Sequence, residues 1–453
     1  MRLVTPPLVI EEGDSFKNDV LDRKAYGDAL LNIIVRSNDE LVISLDGRWG
    51  EGKTTFVKMW QGLLSENGVP NLYIDAFSND YVDDAFISVA SAITNYAKTH
   101  IQKGCHKEIE ELKDKTKKVG GKLLSWSARI AIKAATLGVI KDSDLDELKD
   151  IKGDIANSAS DLVGGFIEER IDSHSKDVEF IQSYRDLLSK IPSKLKENDG
   201  NPLVIIIDEL DRCKPTFAVE IIEKIKHLFS VENVVFVLVM NKSQLEESIR
   251  SVYGCNIDAH TYLQKFISLE AKIPKRTSER YTSDFSKYSN RLLNLHEIET
   301  WGDNRGILDC IDPLSNHFNL SLRQLERVFT NLAVFYGSST ETHFRLVPII
   351  VFLCVVKVVD PQLFELLLYQ KTSFLEVNSQ LKLEKYIINN ENNSQAYWLI
   401  QWVRFCLFNE QEFNDLPEDD EIRGFSKALV RYHLDRIKII PITAQKISMF
   451  VVA

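Results

Sequence analysis

A glycine-rich loop followed by a lysine and a threonine is the feature of this sequence that points most directly to chemistry. The stretch LVISLDGRWGEGKTT (residues 41–55) places an apolar run before Gly47-x-x-x-x-Gly52-Lys53-Thr54 and a helix-forming stretch after it. Glycines at this spacing let backbone N–H groups converge on phosphate oxygens, and the next helix points its positive dipole end at the same anion. The pattern predicts a phosphate-binding loop, with a glycine-rich turn and a solvated lysine as the alternative.

Each part of this loop has an expected contact with a nucleotide and its metal ion. The side chain of Lys53 would reach the β- and γ-phosphates, and the Thr54 hydroxyl would ligate Mg²⁺. The expected cofactors are therefore ATP and Mg²⁺. The predicted cofactor-binding residues are Gly47, Gly50, Glu51, Gly52, Lys53, Thr54 and Thr55.

A second feature is a wholly apolar run that ends in two acids, PLVIIIDE at residues 202–209. Such a run is typical of a strand buried on both faces of a parallel sheet, with its carboxylates at the C-terminal edge. Asp208 would hold Mg²⁺ through water, and Glu209 would orient and deprotonate the attacking water. The alternative is a buried strand whose following loop is merely acidic.

Length and composition bound the class of protein. A chain of 453 residues with 44% apolar content is long enough for two or three domains with large cores. The net charge of −11 argues against general attraction to nucleic acid, although it leaves room for a local basic stripe. The six cysteines have neither paired spacing nor histidine partners at zinc-ligand spacing, which predicts reduced cytosolic thiols.

Nothing in the sequence predicts a membrane segment or a signal peptide. The first residues lack a basic stretch followed by a continuous apolar run. The longest apolar run, residues 346–356, is shorter than the roughly 18 residues of a spanning helix, so we expect a buried helix there. The expected location is the cytoplasm.

Apolar strands alternate with helical patterns along the first part of the chain. Strands are predicted at about 41–45, 72–77, 203–208, 234–240 and 268–273, and helices at 16–37 and 217–229. This alternation predicts a doubly wound parallel α/β sheet. The additional strand before the acidic pair, and the glutamate itself, resemble the additional-strand, catalytic-glutamate branch of P-loop NTPases. That resemblance implies strand order 5-1-4-3-2.

The long interval between the loop and the acidic strand predicts a helical insertion at 98–190. Its charge runs indicate a solvated helix face or, alternatively, an arm that docks a partner. Within it, residues 120–140 either pack under a cap or touch a membrane surface. The predicted units are 1–97 and 191–275 for the NTPase core, 98–190 for the insertion, 276–340 for a helical lid and 341–453 for a helical C-terminal domain.

Several motifs in order carry a resemblance to a known family. GRWGEGKTTF, YIDAFSNDYVDDAF, LVIIIDELDRCKPTFAVEIIEKIKHLF, VVFVLVMNKSQLEESIRSVYG, TYLQKFISLEAKIP and SLRQLERVF occur in the order seen in the KAP family of P-loop NTPases. The resemblance covers about residues 17–340. The D-E-x-D-R-C pattern at 208–213 is more specific than the phosphate loop alone.

The resemblance implies roles for several further residues. Asn241 ends a strand where such ATPases place a polar sensor of the γ-phosphate, with a helix N-cap as the alternative. Arg323 lies where a sensor arginine belongs on the lid, with a surface salt bridge as the alternative and Arg327 as a weaker candidate. The predicted catalytic residues are Glu209, Lys53, Asn241 and Arg323. The resemblance implies supporting or interface roles for Asp211 and Arg212. A trans-acting arginine finger could come from Arg276 or Arg280, and the sequence favours neither.

The predicted function is ATP hydrolysis that drives a conformational or assembly switch. The resemblance implies a soluble homo-oligomer with a separate effector protein, and kinship suggests a part in bacterial defence against phage. No catalytic constellation is visible in the C-terminal region, so a nuclease or deaminase within this chain is not expected. The alternatives are a nucleotide-gated scaffold with little turnover, hydrolysis stimulated by nucleic acid, and a kinase. The preference between ATP and GTP stays open, with Asp22 and Arg23 as candidates for the adenine side.

Overall fold

A five-stranded parallel sheet organises the first half of the chain. The computed structural model describes all residues except 7, 38, 82–83, 103–104, 121–177, 197, 199, 276–282, 389–393, 431–433 and 450–453. The strands are β1 (Leu41–Asp46), β2 (Asn71–Asp75), β3 (Leu203–Asp208), β4 (Val234–Met240) and β5 (Leu269–Lys272). Their order is β2-β3-β4-β1-β5, which confirms the predicted doubly wound sheet and the order 5-1-4-3-2.

The two central strands are buried along their whole length. Every residue of β3 and β4 is inaccessible, as expected where β-branched and large apolar side chains are covered on both faces. In register, Asp75 lies opposite Asp208, and Asp46 lies opposite Met240. The parallel strands therefore bring the ends of β1, β2, β3 and β4 to one edge of the sheet.

Helices cover both faces of the sheet. They are α1 (Lys24–Arg36), α2 (Lys53–Glu66), α3 (Ala85–His100), α4 (Pro215–Lys224), α5 (Lys242–Tyr253) and α6 (Ala259–Gln264), and residues 106–120 and 178–190 are also helical. One core lies around Phe56 and Trp60 on α2, and the other around Phe86 and Phe229. Residues 103–104 and 121–177 of the predicted insertion, which include the segment 121–140, lie outside the described residues.

Two predicted helices differ from the observed ones. The helix expected at 16–37 begins only at Lys24, because the Asp19 carboxylate accepts hydrogen bonds from the backbone N–H groups of Leu21, Arg23 and Lys24. These bonds fold the preceding residues into turns. The helix expected at 217–229 is found as α4, followed by one π-helical turn at Ile225–Phe229.

The second half of the chain is helical and shares a single hydrophobic core. Its helices are α7 (Asp284–His296), α8 (Asn304–Phe318), α9 (Leu322–Gly337), α10 (Val347–Val359), α11 (Pro361–Leu368), α12 (Phe374–Leu381), α13 (Lys385–Ile388), α14 (Ser394–Leu407), α15 (Glu410–Asn414), α16 (Glu421–Val430) and α17 (Ile439–Ser448). The core includes residues from Phe285 to Ile447, so it extends across the predicted boundary between the lid at 276–340 and the C-terminal domain at 341–453. Helix α10 is the predicted buried helix. No helix in the described part of the chain is long and apolar enough to cross a bilayer.

Candidate nucleotide-binding site

The loop between β1 and α2 has the conformation that its glycines permit. Gly50 and Gly52 both have φ of +78°, in the left-handed region that side chains other than glycine rarely adopt. A Cβ atom at Gly50 would lie 2.7 Å from the Cβ of Arg323. The loop therefore needs glycine at this position both for its backbone angle and for its contact with α9.

Lys53 is the first residue of α2, and it folds back over this loop. Its Nζ donates hydrogen bonds to the carbonyl oxygens of Gly47, at 2.6 Å, and Arg48, at 3.2 Å. Burial lowers the pKa of the Lys53 ammonium, while the nearby carboxylates of Asp211 and Asp208 raise it. Because the hydrogen-bond partners of this buried ammonium are neutral carbonyl oxygens, charged phosphate oxygens would form stronger hydrogen bonds with it.

The acidic pair lies at the end of β3. Asp208 is 1% exposed, and its carboxylate accepts hydrogen bonds from the Tyr73 hydroxyl, at 3.1 Å, and from the Glu209 N–H, at 2.8 Å. Glu209 has φ of +60°, which turns its side chain out of the strand direction. The guanidinium of Arg212 forms an ion pair with the Glu209 carboxylate at 2.6 Å.

Two opposing influences act on the Glu209 carboxyl. Burial raises the pKa of this group, and the positive charge of Arg212 lowers it. The neighbouring carboxylates of Asp75, Asp208 and Asp211 raise the pKa further. Among the described residues, Arg212 therefore favours the ionised form of Glu209.

The loop and the acidic pair line one cavity of about 620 Å³, which is a volume typical of small-molecule sites. The predicted site residues on its wall are Gly50, Gly52, Lys53, Thr54, Thr55, Asp208, Glu209 and Arg323. The structure therefore brings together groups that lie far apart in the sequence. The Thr54 hydroxyl and the Asp208 carboxylate offer the oxygen ligands that Mg²⁺ prefers, so these residues fit the predicted metal ion.

Three predicted residues do not line the cavity. Gly47 contributes its carbonyl to Lys53, and Glu51 accepts a hydrogen bond from the Arg48 N–H at 2.9 Å. Asn241 follows β4, and its side-chain oxygen accepts from the Ser243 hydroxyl at 2.9 Å. It occupies the N-cap position of α5 without a side-chain bond to the helix backbone. Its proposed sensor role stays a prediction.

The helical half of the chain reaches the loop through the start of α9. Ser321 and Gln324 form a capping box there, which fixes the first turn of this helix. The Arg323 N–H donates to the Gly50 carbonyl at 3.2 Å. The Arg323 side chain is exposed, and no ion pair involves it among the residues that the structure describes. Its neighbour one turn on, Arg327, does not line the cavity.

One wall of the cavity consists of residues near the N-terminus, of which the sequence indicated only Arg23, as a candidate for the adenine side. The other residues of this wall are Arg2, Thr5, Pro6, Leu8, Val9, Asn18, Asp19, Val20 and Leu21. Arg23 is 5% exposed and donates to the Glu51 carbonyl at 3.0 Å, so it braces the loop from this side. Asp22 instead pairs with Lys287. The helical pattern at 16–37 predicts a helix over the second part of this wall, where the structure has the Asp19 turn instead. The proposed finger residues Arg276 and Arg280 lie outside the described part of the chain.

The parallel sheet, the glycine loop with its lysine, and the acidic pair at the adjacent strand end define a P-loop nucleotide-binding protein. The chain belongs to the KAP family of P-loop NTPases, because the model of the KAP family P-loop domain matches residues 23–338. This finding confirms the resemblance seen in the sequence.

Two other known proteins show a more limited similarity to this chain. The uncharacterized protein MJ0182 of Methanocaldococcus jannaschii is 29% identical over 126 residues, which are 27% of this chain and 65% of that protein. The solved structure of the Aeropyrum pernix ORC2 protein, in ADPNP–ADP complexes, is similar over 94% of both chains with 13% identity and a TM-score of 0.33. A likeness this distant carries no argument about function.

Proposed function

We propose that this chain binds ATP with Mg²⁺ and hydrolyses it. The observation that carries the proposal is the shared cavity, in which Lys53 and the loop glycines face the acidic pair Asp208 and Glu209. The loop can hold a triphosphate, and the acidic pair can act on water at its end. A site built only to retain a nucleotide would not need a carboxylate beside Asp208 on the cavity wall.

Each residue has a distinct task in this proposal. The ammonium of Lys53 leaves the carbonyls of Gly47 and Arg48 and neutralises charge on the β- and γ-phosphate oxygens. Thr54 and Asp208 would hold Mg²⁺, which would supply further charge neutralisation when bound with the nucleotide. Glu209, once released from Arg212, accepts a proton from the attacking water.

The same arrangement supports a switch. The Gly50 carbonyl contacts the Arg323 N–H, so a change in the loop is transmitted to α9 and to the helical core behind it. The guanidinium of Arg323 would bind the γ-phosphate and lose this partner after hydrolysis. The two states would then differ in how α9 sits on the loop.

The experiment is a steady-state measurement of phosphate release by the full chain, with Mg²⁺ and with EDTA. We expect many turnovers with Mg²⁺, few with EDTA and none for Lys53→Ala. Lys58→Ala is the matched control, because Lys58 is an exposed lysine on the same helix. Phosphate release that is equal in Lys53→Ala and the wild type would contradict the proposal.

A second candidate is a nucleotide-gated scaffold that binds ATP with little turnover. The ion pair between Arg212 and Glu209 favours it, since a carboxylate held by a cation is not positioned to activate water. The number of phosphates released per chain separates the two candidates. Values near one indicate the scaffold, and values far above one indicate the enzyme.

The output of the switch would pass to other chains. We propose a homo-oligomer that recruits a separate effector, in line with the expected role in defence against phage. Size measurement with ATP or ADP bound tests assembly, and plaque counts with wild-type and Lys53→Ala protein test defence. Equal assembly and equal plaque counts in all states would refute this part. Stimulation of hydrolysis by DNA or RNA would instead favour the nucleic-acid alternative.

A further inference from the structure

The cavity continues beyond the phosphate loop to the wall formed by residues near the N-terminus, of which the sequence indicated only Arg23. Val9 and Val20 from the N-terminal segment and Met59 from α2 supply apolar surface there. Val9 is 69% exposed, so a flat ring placed against it would remove apolar area from water. This end of the cavity suits the base of a nucleotide whose phosphates lie at Lys53.

Most polar side chains on this wall already have partners. The Asp19 carboxylate accepts three backbone N–H groups. The Tyr288 hydroxyl donates to Glu326, and the Thr5 hydroxyl lies 3.3 Å from a ring nitrogen of the buried His296. These groups hold the wall together and are committed within the protein.

Asn18 differs because only half of its amide is used. Its Nδ2 donates to the Val9 carbonyl at 2.9 Å. A carbonyl oxygen can only accept, so this bond fixes which end of the amide faces Val9. The Asn18 Oδ1 has no donor among the described residues. Because Asn18 lines the cavity, this oxygen is an acceptor of fixed orientation that a ligand there can use.

A fixed acceptor distinguishes the two purine bases. Adenine carries an amino group at position 6, which donates, whereas guanine carries a carbonyl oxygen there, which only accepts. We infer that Asn18 selects adenine over guanine in this cavity by accepting a hydrogen bond from the amino group of the base. The inference rests on the proposed function, and it names the base which that function left open.

The test uses nucleotides that differ only at this position. We would measure competition of ATP, GTP and the triphosphate of purine riboside, which has hydrogen in place of the amino group, against a fluorescent ADP analogue. For the wild-type chain we expect purine riboside triphosphate to bind about two- to tenfold more weakly than ATP, as for one lost hydrogen bond. GTP should bind about 5- to 150-fold more weakly, because two acceptors then face each other.

Asn18→Ala should reduce both ratios towards one. Asn316→Ala is the matched control, since the Asn316 amide also donates to a backbone carbonyl, at 3.0 Å, but is exposed and lies outside the cavity. This control should keep the wild-type ratios. If Asn18→Ala fails to fold, the comparison of ATP with purine riboside triphosphate on the wild-type chain still decides.

Equal binding of ATP and purine riboside triphosphate by the wild type would overturn the inference. So would unchanged ratios in Asn18→Ala. Failure of the proposed function has a different signature, in which none of the triphosphates competes or Lys53→Ala binds them as well as the wild type.

Discussion

The contact between the phosphate loop and α9 can be tested by adding a single carbon atom. In Gly50→Ala the new Cβ would lie 2.7 Å from the Cβ of Arg323 and 3.0 Å from the Oγ of Ser321. Both neighbours belong to the start of α9, close to its backbone, so they cannot rotate away as a long side chain would. The loop and the helix would have to separate.

The cost has two parts, which a control can divide. A left-handed backbone angle costs about 1–2 kcal/mol for a residue other than glycine. Overpacking typically adds about 1–3 kcal/mol. Gly13→Ala carries the first part alone, because Gly13 has φ of +81° and no atom within 4 Å of the added Cβ. The difference between the free energies of unfolding of the two variants therefore isolates the cost of the contact with α9.

The assay is titration of each variant with a fluorescent ADP analogue, together with denaturant unfolding to confirm that both fold. Since the phosphates bind a loop braced against α9, we expect Gly50→Ala to bind about 5- to 150-fold more weakly than the wild type, as for a loss of about 1–3 kcal/mol. Gly13→Ala should bind within about twofold of the wild type, because Gly13 does not line the cavity. Equal affinities of the two variants would refute the role of the contact.

Two further predictions concern charge. Arg212→Ala removes the ion-pair partner of Glu209 but also raises the pKa of Glu209, so phosphate release is measured at pH 8, where the ionised form is favoured. There we expect release to rise up to about fivefold, as for an ion pair worth up to about 1 kcal/mol, and to stay unchanged in the nearby Lys214→Ala; a fall in Arg212→Ala at pH 8 would contradict this role. Burial lowers the pKa of His296 below 6.5, so the unfolded chain binds more protons and the free energy of unfolding should decrease as pH falls through 6.5. Denaturant titrations between pH 8 and pH 5 check this. Stability that rises towards pH 5 would contradict it.

The strands at the centre of the sheet could be predicted closely from the sequence. β3 and β4 have the predicted bounds, because an unbroken run of apolar residues is buried wherever helices cover both faces of a parallel sheet. The phosphate loop and the acidic pair could also be placed together, because parallel strands bring their carboxyl ends to one edge.

The remaining parts of the site depend on contacts that no local pattern encodes. Asn18 and Arg23 line the cavity from either side of the Asp19 turn, at a place where the sequence predicts a helix. The ion pair of Arg212 with Glu209 requires the 3₁₀ turn at Leu210–Arg212, which the sequence did not reveal. Asn241 was correctly placed after a strand, but its side chain is engaged by Ser243 instead of facing the cavity.

The central claim is that Glu209 activates water against a triphosphate held at Lys53. A single-turnover measurement with excess protein tests it most directly, by following bound ATP and released phosphate in the wild type and in Glu209→Gln. We expect Glu209→Gln to bind ATP with wild-type affinity and to cleave it at least about 100-fold more slowly, because the amide cannot accept the proton. Cleavage by Glu209→Gln at the wild-type rate would contradict it.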